Sequence, residues 1–294
     1  MAFILGIARP VEAQESDRSN NLKFELSTGY STENLEWSIA GKNTYGEPVN
    51  ILSELKWKKL GGIYLNLSGE WYVWKDLFVR GNFSKTFIAS GSVTDTDFGK
   101  HDRRDTLFHD KFTSNKGGLG AYGAAAGYKI HFLKKHSIAT FAGYGSDSQS
   151  LYILRDNGNV QGDLKSTYQT RWNGFFTGID IRISIHKNLA AKAQITYHQL
   201  SYSATADWNL IEDFKHPVSF KHRAKGYGFA TDAGLEYFIS KRMSATLTTT
   251  YSSWTTGKGT DTLYRTNGDV AITQLNRVQR NNLIFSAGFQ ITFN

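Results

Sequence analysis

Cysteine is absent from the 294-residue chain, and proline occurs only three times. Without thiols there is neither a disulfide scaffold nor a thiolate metal site. Long hydrophobic runs are missing as well. The longest, Ala2–Ala8, falls far short of the roughly 20 apolar residues that cross a bilayer as a helix, which excludes a helical membrane protein. Charged residues make up only 20% of the chain and hydrophobic ones 40%, with 14% aromatic. That is too apolar for a disordered chain. What is present instead is 15 Tyr, 19 Phe and 7 Trp, a composition suited to strands. Lys+Arg 34 against Asp+Glu 26 leaves a net charge of +8, which favours anionic surfaces such as nucleic acid or lipid phosphate.

At the front, Ala2–Ala8 followed by Val11-Glu12-Ala13 resembles an apolar segment with a small-x-small cleavage site before Gln14. The expectation is a truncated signal peptide over residues 1–13 and a mature chain over 14–294, with a destination beyond the inner membrane.

From there on the recurring pattern has period two, which marks strands with unlike faces. It runs through Phe24-x-Leu26-x-Thr28-x-Tyr30, Leu35-x-Trp37-x-Ile39 and Ile63-x-Leu65-x-Leu67. It is clearest in Leu283-x-Phe285-x-Ala287-x-Phe289-x-Ile291-x-Phe293, whose other face is mostly small or polar. Short turns are expected at Trp74–Asp76, Lys134–His136, His186–Asn188 and Ser240–Arg242. Long polar loops are expected at Gly41–Asn50, Asp97–Lys116, Asp156–Lys165, Asn209–Arg223 and Gly257–Arg280. Long and short alternate strictly, which is the layout of an all-β, closed antiparallel transmembrane barrel with long extracellular loops and short periplasmic turns. The count is about ten strands. Leu77–Asp95 and Leu189–Asp207 exceed the roughly 9–11 residues a spanning strand needs, so the barrel should project above the membrane. The setting this implies is the outer membrane of a Gram-negative bacterium.

Two steps at strand ends carry possible chemistry. Asp95-Thr96-Asp97 puts two carboxylates on one strand face, where mutual repulsion can keep one protonated near neutral pH. Asp207-Trp208-Asn209 does the same with one acid and one amide. Both steps are expected at the extracellular mouth, facing each other if the barrel closes.

These features, together with Ser53–Lys58, Ala142-Gly143-Tyr144 and Gln169-Thr170-Arg171-Trp172, resemble the omptins, outer-membrane endopeptidases of Gram-negative bacteria. The resemblance runs from about Asn21 to Phe293. It implies an Asp-x-Asp pair at one rim, an Asp-x-His pair at the other, and a water held between them that attacks the peptide carbonyl with the histidine as base. Carried over, Asp95 and Asp97 match the acidic pair and Asp207 the orienting aspartate, while Asn209 stands at the histidine position. An amide cannot take a proton from water, and losing a general base costs about 10²–10⁴ in rate. His101, His109, His216 and His222 are the candidate replacements. His198 is too deep, and His131 and His136 are at the wrong end.

The resemblance further implies lipopolysaccharide as activator and lipid partner, with Arg171 at the position of a phosphate-gripping arginine. The family's second arginine has no counterpart in Gly145–Gln149. Glu36 is a candidate for the family's acidic substrate pocket, and Thr205 stands where an acid would be expected.

The expected function is therefore an omptin-like outer-membrane barrel that is a degenerate or weak endopeptidase scaffold serving binding, adhesion or envelope structure. The alternatives are an active endopeptidase with a displaced base and a small-solute pore. A ten-stranded barrel is narrow and usually filled, so Lys56, Lys58, Glu70, Arg80, Lys85, Lys129, Asp180 and Arg182 are expected inside as an ion-pair network. No basic stripe or module supports nucleic-acid binding, and no motif for a metal or other cofactor is present.

Overall fold

The computed structural model describes residues 22–133, 136–155 and 163–293; the expected leader lies outside them, as do the Lys134–Lys135 turn residues. No helix occurs among the described residues, which form twelve antiparallel strand segments. These are β1 (Leu22–Lys42), β2 (Pro48–Trp74), β3 (Leu77–Lys100), β4 (Arg104–Thr113), β5 (Gly117–Phe132), β6 (His136–Leu154), β7 (Lys165–His186), β8 (Leu189–Asp207), β9 (Phe220–Phe238), β10 (Met243–Thr256), β11 (Gly259–Tyr264) and β12 (Val270–Phe293).

The twelve segments occupy ten strand positions. β5 pairs the lower part of β3, from Leu77 to Phe87, and β4 pairs its upper part, from Ser92 to Lys100. The two are thus one strand interrupted at Ser114–Lys116. At that break Gly117 has φ +103, and a Cβ there would lie 1.9 Å from the Ser150 carbonyl oxygen, so only glycine fits. β10 and β11 likewise follow one another between β9 and β12, broken at Gly257 and Lys258. β1 pairs β12 from Leu22–Phe293 upward, which closes the ring and removes every sheet edge at membrane level.

The register fixes the tilt. A ladder row starting at Leu22 passes through Trp71, Val79, Ala126, Ala142, Thr177, Tyr197, Phe229, Ser253 and Asn281 and returns to β1 at Asn34, twelve residues above its start. Ten strands about 4.8 Å apart with that stagger must lean about 40° from the barrel axis, so each residue climbs about 2.5 Å.

The outward wall is apolar. Phe285, Phe289 and Phe293 are all more than half exposed, as expected of lipid-facing rings. The short-turn end carries the exposed Trp71, Trp74 and Tyr237, an interfacial girdle. β2 is 27 residues long, far more than a bilayer requires, and the upper strands stand above the membrane. Much of what reads as long loop is in fact this raised wall. Asp97–Lys116 contains the end of β3 and all of β4, and Gly257–Arg280 contains β11 and the start of β12.

Two glycine-bearing irregularities reverse the inside–outside phase. Below them Ile63, Leu65, Phe83 and Phe87 point outward; above them Leu55, Trp57 and Val93, of the same odd parity, are buried inside. On β2 the slip falls at Lys58–Gly62, and on β3 it falls near Gly91, whose φ is +144.

Candidate functional site

The phase reversal on β3 sets the direction of the acidic pair. Above Gly91, Val93 is fully buried inside, and Asp95 and Asp97 continue its register opposite Leu55 and Ser53. Asp110 of β4 lies directly across from Asp95. Among the described residues the buried Asp95 Oδ1 has no hydrogen-bond partner. Burial, together with the neighbouring Asp97 and Asp110 carboxylates, pushes Asp95 up to about 7. Burial also raises Asp97, opposed by a hydrogen bond from Ser53. On the outer side of the same rim Glu54 accepts bonds from Arg103, at 2.6 Å, and from Lys56; these overcome burial and hold its carboxyl below the usual value.

The other rim is arranged differently. Along β8 the inward register is Tyr202, Ala204 and Ala206, all buried, so Asp207 falls on the outward register with Ser203 and Thr205. Asp207 Oδ1 lies 2.6 Å from His216 Nδ1 of the following loop. Asn209 is fully engaged: its Oδ1 accepts from the Lys165 amide at 2.9 Å and from Ser166 Oγ at 3.1 Å, and its Nδ2 donates to the Asp163 carbonyl at 2.8 Å. Trp208 packs on Phe220, ring centroids 4.7 Å apart. The β3 acids thus share one inward face, while Asp207 lies on the opposite register and Asn209 ties the start of β7.

The other candidate bases have local partners. His101 Nδ1 accepts from the Asn50 amide at 3.2 Å, and His109 Nδ1 lies 2.9 Å from Thr96 Oγ1. His222 is fully buried, 2.8 Å from the Tyr168 hydroxyl and 3.2 Å from Asp261. Glu36 accepts from Arg277 at 3.4 Å.

Between the two rims the lumen is filled. Trp57 of β2 stacks on Tyr168 of β7 at 5.1 Å, and Trp37 of β1 meets His222 of β9 edge-on at 4.8 Å. Below them Trp172 contacts Tyr202 at 4.4 Å and Trp254 at 5.8 Å. Trp57 and Tyr168, like Trp37 and His222, come from strands that do not pair, whereas Trp172 and Tyr202 are cross-strand partners; the Trp and Tyr rings belong to one buried cluster in the extracellular halves of their strands. The sequence pattern gave no sign that they would meet, since period two gives a face and not a partner across the lumen.

Beneath this plug is a polar chamber of about 490 Å³. Arg80 bonds Asp180 at 2.8 Å, Lys129 reaches Glu70 at 3.2 Å, and Arg182 and Lys192 bracket Glu236 at 3.3 and 3.1 Å. Arg280 spans Glu33 at 2.7 Å and Asp147 at 2.9 Å. The network expected inside is present for Glu70, Arg80, Lys129, Asp180 and Arg182. Lys56, Lys58 and Lys85 face outward instead, the first two because of the β2 slip and Lys85 because it shares the parity of Phe83 and Phe87.

Arg171 is exposed on the outward face of β7, four residues above the exposed Phe175. The ladder row through it reads Lys85, Gly120, Ser148, Arg171, Ser203 and Arg223. Because the strands lean, this row climbs about 3 Å per strand, so Arg171 stands about 9 Å above Lys85, which lies between the exposed Phe83 and Phe87.

Among the described residues no group of three or more His, Asp or Glu is arranged to hold a metal. A closed antiparallel barrel with an apolar outer wall and a lumen filled by an aromatic plug above an ion-pair network is an integral outer-membrane β-barrel protein. The chain belongs to the Protochlamydia outer membrane protein (Pom) family, whose model matches residues 25–293. No curated protein matches its sequence. Among solved structures it is similar to the outer membrane protease OmpT from Escherichia coli, with a TM-score of 0.73 at 13% identity over 93% of this chain and 97% of that one. At that identity the likeness is one of fold. The outer membrane protein OprG from Pseudomonas aeruginosa aligns over 92% and 96% of the two chains at 10% identity, with a TM-score of only 0.38.

Proposed function

We propose that this protein is a non-hydrolytic outer-membrane scaffold held to lipopolysaccharide in the outer leaflet, with a degenerate counterpart of an endopeptidase site at its rim. The observation that carries this reading is the filled mouth. The Trp57–Tyr168 stack occupies the space between the two rims, and Asp207 points to the other side of its strand from the β3 acids. A shared attacking water needs both carboxylate pairs to face one point within hydrogen-bond reach, and this arrangement offers none.

Lipopolysaccharide is the partner this reading assigns to Arg171, whose planar guanidinium suits a phosphate at headgroup level. The test is purification in detergent with added lipopolysaccharide, followed by cleavage assays on peptides of varied sequence. No turnover is expected; cleavage that disappears in Asp95→Asn would refute the reading. The endopeptidase alternative has one observation in its favour, the Asp207–His216 contact of 2.6 Å, which orients a histidine as a displaced base would require. That alternative demands cleavage lost in His216→Ala.

The 490 Å³ chamber favours a further reading, a solute passage closed by the aromatic plug. Stepwise conductance in planar bilayers would support it, and a silent barrel would oppose it.

A further inference from the structure

The lumen is closed twice, above by the aromatic plug and below by a ring of charge. At the periplasmic end Lys23 lies 3.8 Å from Glu70, which Lys129 also reaches. Glu236 is held between Arg182 and Lys192 and accepts further bonds from Ser244 at 2.9 Å and Gln290 at 3.3 Å. Four cations thus surround two carboxylates, and the ring is net positive. Higher in the lumen the balance reverses. The Arg80–Asp180 pair cancels. Glu25 and Asp232 accept bonds from the hydroxyls of Thr246 and Thr250 and make no ion pair among the described residues, while Arg280 alone serves both Glu33 and Asp147.

Between the two closures the inward side chains are small. Ser27, Ser68, Gly123, Gly145, Ala230 and Ser286 face the chamber of about 490 Å³, a volume in the range of small-molecule sites. Amides converge on the same space. Asn66 donates to Ser27 Oγ at 3.3 Å and Gln194 to Thr196 Oγ1 at 3.0 Å, and among the described residues neither amide oxygen accepts a bond. The Asn82 side chain makes none at all among them. Higher up, His198 packs between Phe176 at 5.5 Å and Trp254 at 5.1 Å, which gives the chamber an aromatic upper wall. Charge then selects the occupant. A cation coming from the periplasm must pass the net positive ring. An anion that passes it meets Glu25, Asp232 and Asp147 where charges are poorly screened. A neutral molecule faces neither barrier. Carboxylate and amide oxygens accept hydrogen bonds and amide hydrogens donate them, which is what a ring of hydroxyls requires. The apolar C–H face of such a ring packs on aromatic side chains.

We infer that the chamber binds a neutral saccharide, held by Asp232, Asn66, Asn82 and Gln194 and admitted from the periplasmic end as the long Lys and Arg side chains of the ring swing aside. This rests on the chamber that the solute-passage reading uses, but it requires entry at one end only and no conduction.

The experiment uses the full chain folded in a sugar-free detergent at about pH 6 and three probes that share one ring: glucose, glucosamine and glucuronate, which are neutral, cationic and anionic. Equilibrium dialysis gives the affinities, and heat-modifiable gel migration reports folding. Glucose should bind roughly tenfold tighter than either charged analogue. Ser286→Leu narrows the chamber from β12 and should weaken glucose binding at least roughly tenfold. If that variant misfolds, Asn66→Ala with Gln194→Ala removes two amides without adding volume and should cost a similar factor. Conductance of the same protein in planar bilayers separates the two readings. A silent barrel that binds glucose supports the site and removes the passage. A conducting barrel that binds no glucose overturns the proposal and leaves the passage, and a silent barrel that binds none overturns both. Tighter binding of either charged analogue than of glucose, or glucose binding that the folded variants do not reduce, overturns the proposal as well.

Discussion

Asp95 offers a test that does not depend on knowing any ligand. Its carboxyl sits at the raised rim, above the membrane, with one oxygen buried and unpaired and with Asp97 and Asp110 as neighbours. Burial and those charges raise it to about 7, against about 3.9 in an unfolded chain. The native state therefore holds this proton more tightly than the unfolded state. Between about pH 4 and pH 7 the folded protein binds more protons, so stability falls as pH rises through that window and is flat beyond it. At about 1.4 kcal/mol per pH unit, the full penalty is about 4 kcal/mol.

β4 can relieve part of this penalty. Its residues are largely exposed, and it meets β6 at a single pair, Thr113–Leu154, so it can move aside and admit water. A realistic penalty is about 2–4 kcal/mol. Asp95→Asn removes the titrating group while keeping its shape. Denaturant midpoints followed by tryptophan fluorescence from pH 4 to pH 8 should show the variant gaining on the parent by that amount, with the gain complete near pH 7. A difference between the two proteins that does not change with pH would refute the placement of Asp95 as a poorly solvated, unpaired carboxyl.

Asn209→His should create no peptidase activity and should cost about 1–2 kcal/mol, since it breaks three hydrogen bonds at the start of β7; peptide turnover in the presence of lipopolysaccharide would contradict this. Trp57→Ala combined with Tyr168→Ala removes the stacked pair, and it should lower stability by at least about 3–5 kcal/mol and raise bilayer conductance; unaltered conductance would show that the plug does not govern passage. Phe285→Arg puts a charge on the lipid face and should cost about 2–4 kcal/mol of barrel stability; a neutral result in lipid vesicles would mean that this face is not in hydrocarbon. Arg171→Ala should weaken lipopolysaccharide binding, with a loss that shrinks at high salt, as surface plasmon resonance can measure.

The architecture was legible because lipid and lumen impose opposite demands on alternate residues, a pattern that survives in any single sequence. Phe285, Phe289 and Phe293 reveal it directly, and the strict alternation of long and short connections fixed the order of the strands. The rim was harder to read. Counting by twos from Phe83 and Phe87 would turn Asp95 and Asp97 outward, and only the irregularity near Gly91 brings them back. The same kind of slip on β2 moved Lys56 and Lys58 out of the expected lumen network. Asp207 shows the converse: β8 has no slip, so the residue stays on the outward face despite its resemblance to a site aspartate. The Trp57–Tyr168 contact joins residues 111 positions apart, and no local periodicity encodes such a meeting. Lys85 was misplaced for a simpler reason, since its parity could have been read from its neighbours.

The seam has a consequence for how this chain becomes a barrel. Leu22 and Phe293 are directly paired, so the first and last described strands lie side by side at the periplasmic end. Every other neighbouring pair in the ring can zip from a nearby connection, but this one joins the most distant parts of the chain and must await the rest. Until then β1 and β12 are two open edges, each able to template a strand of another molecule. Once the seam shuts, the order of strands along the chain ceases to matter mechanically. A circularly permuted chain that links residue 293 to residue 22 and opens in the Asn209–Ser219 loop would keep every ladder of the ring while relocating the last step of assembly to β8 and β9.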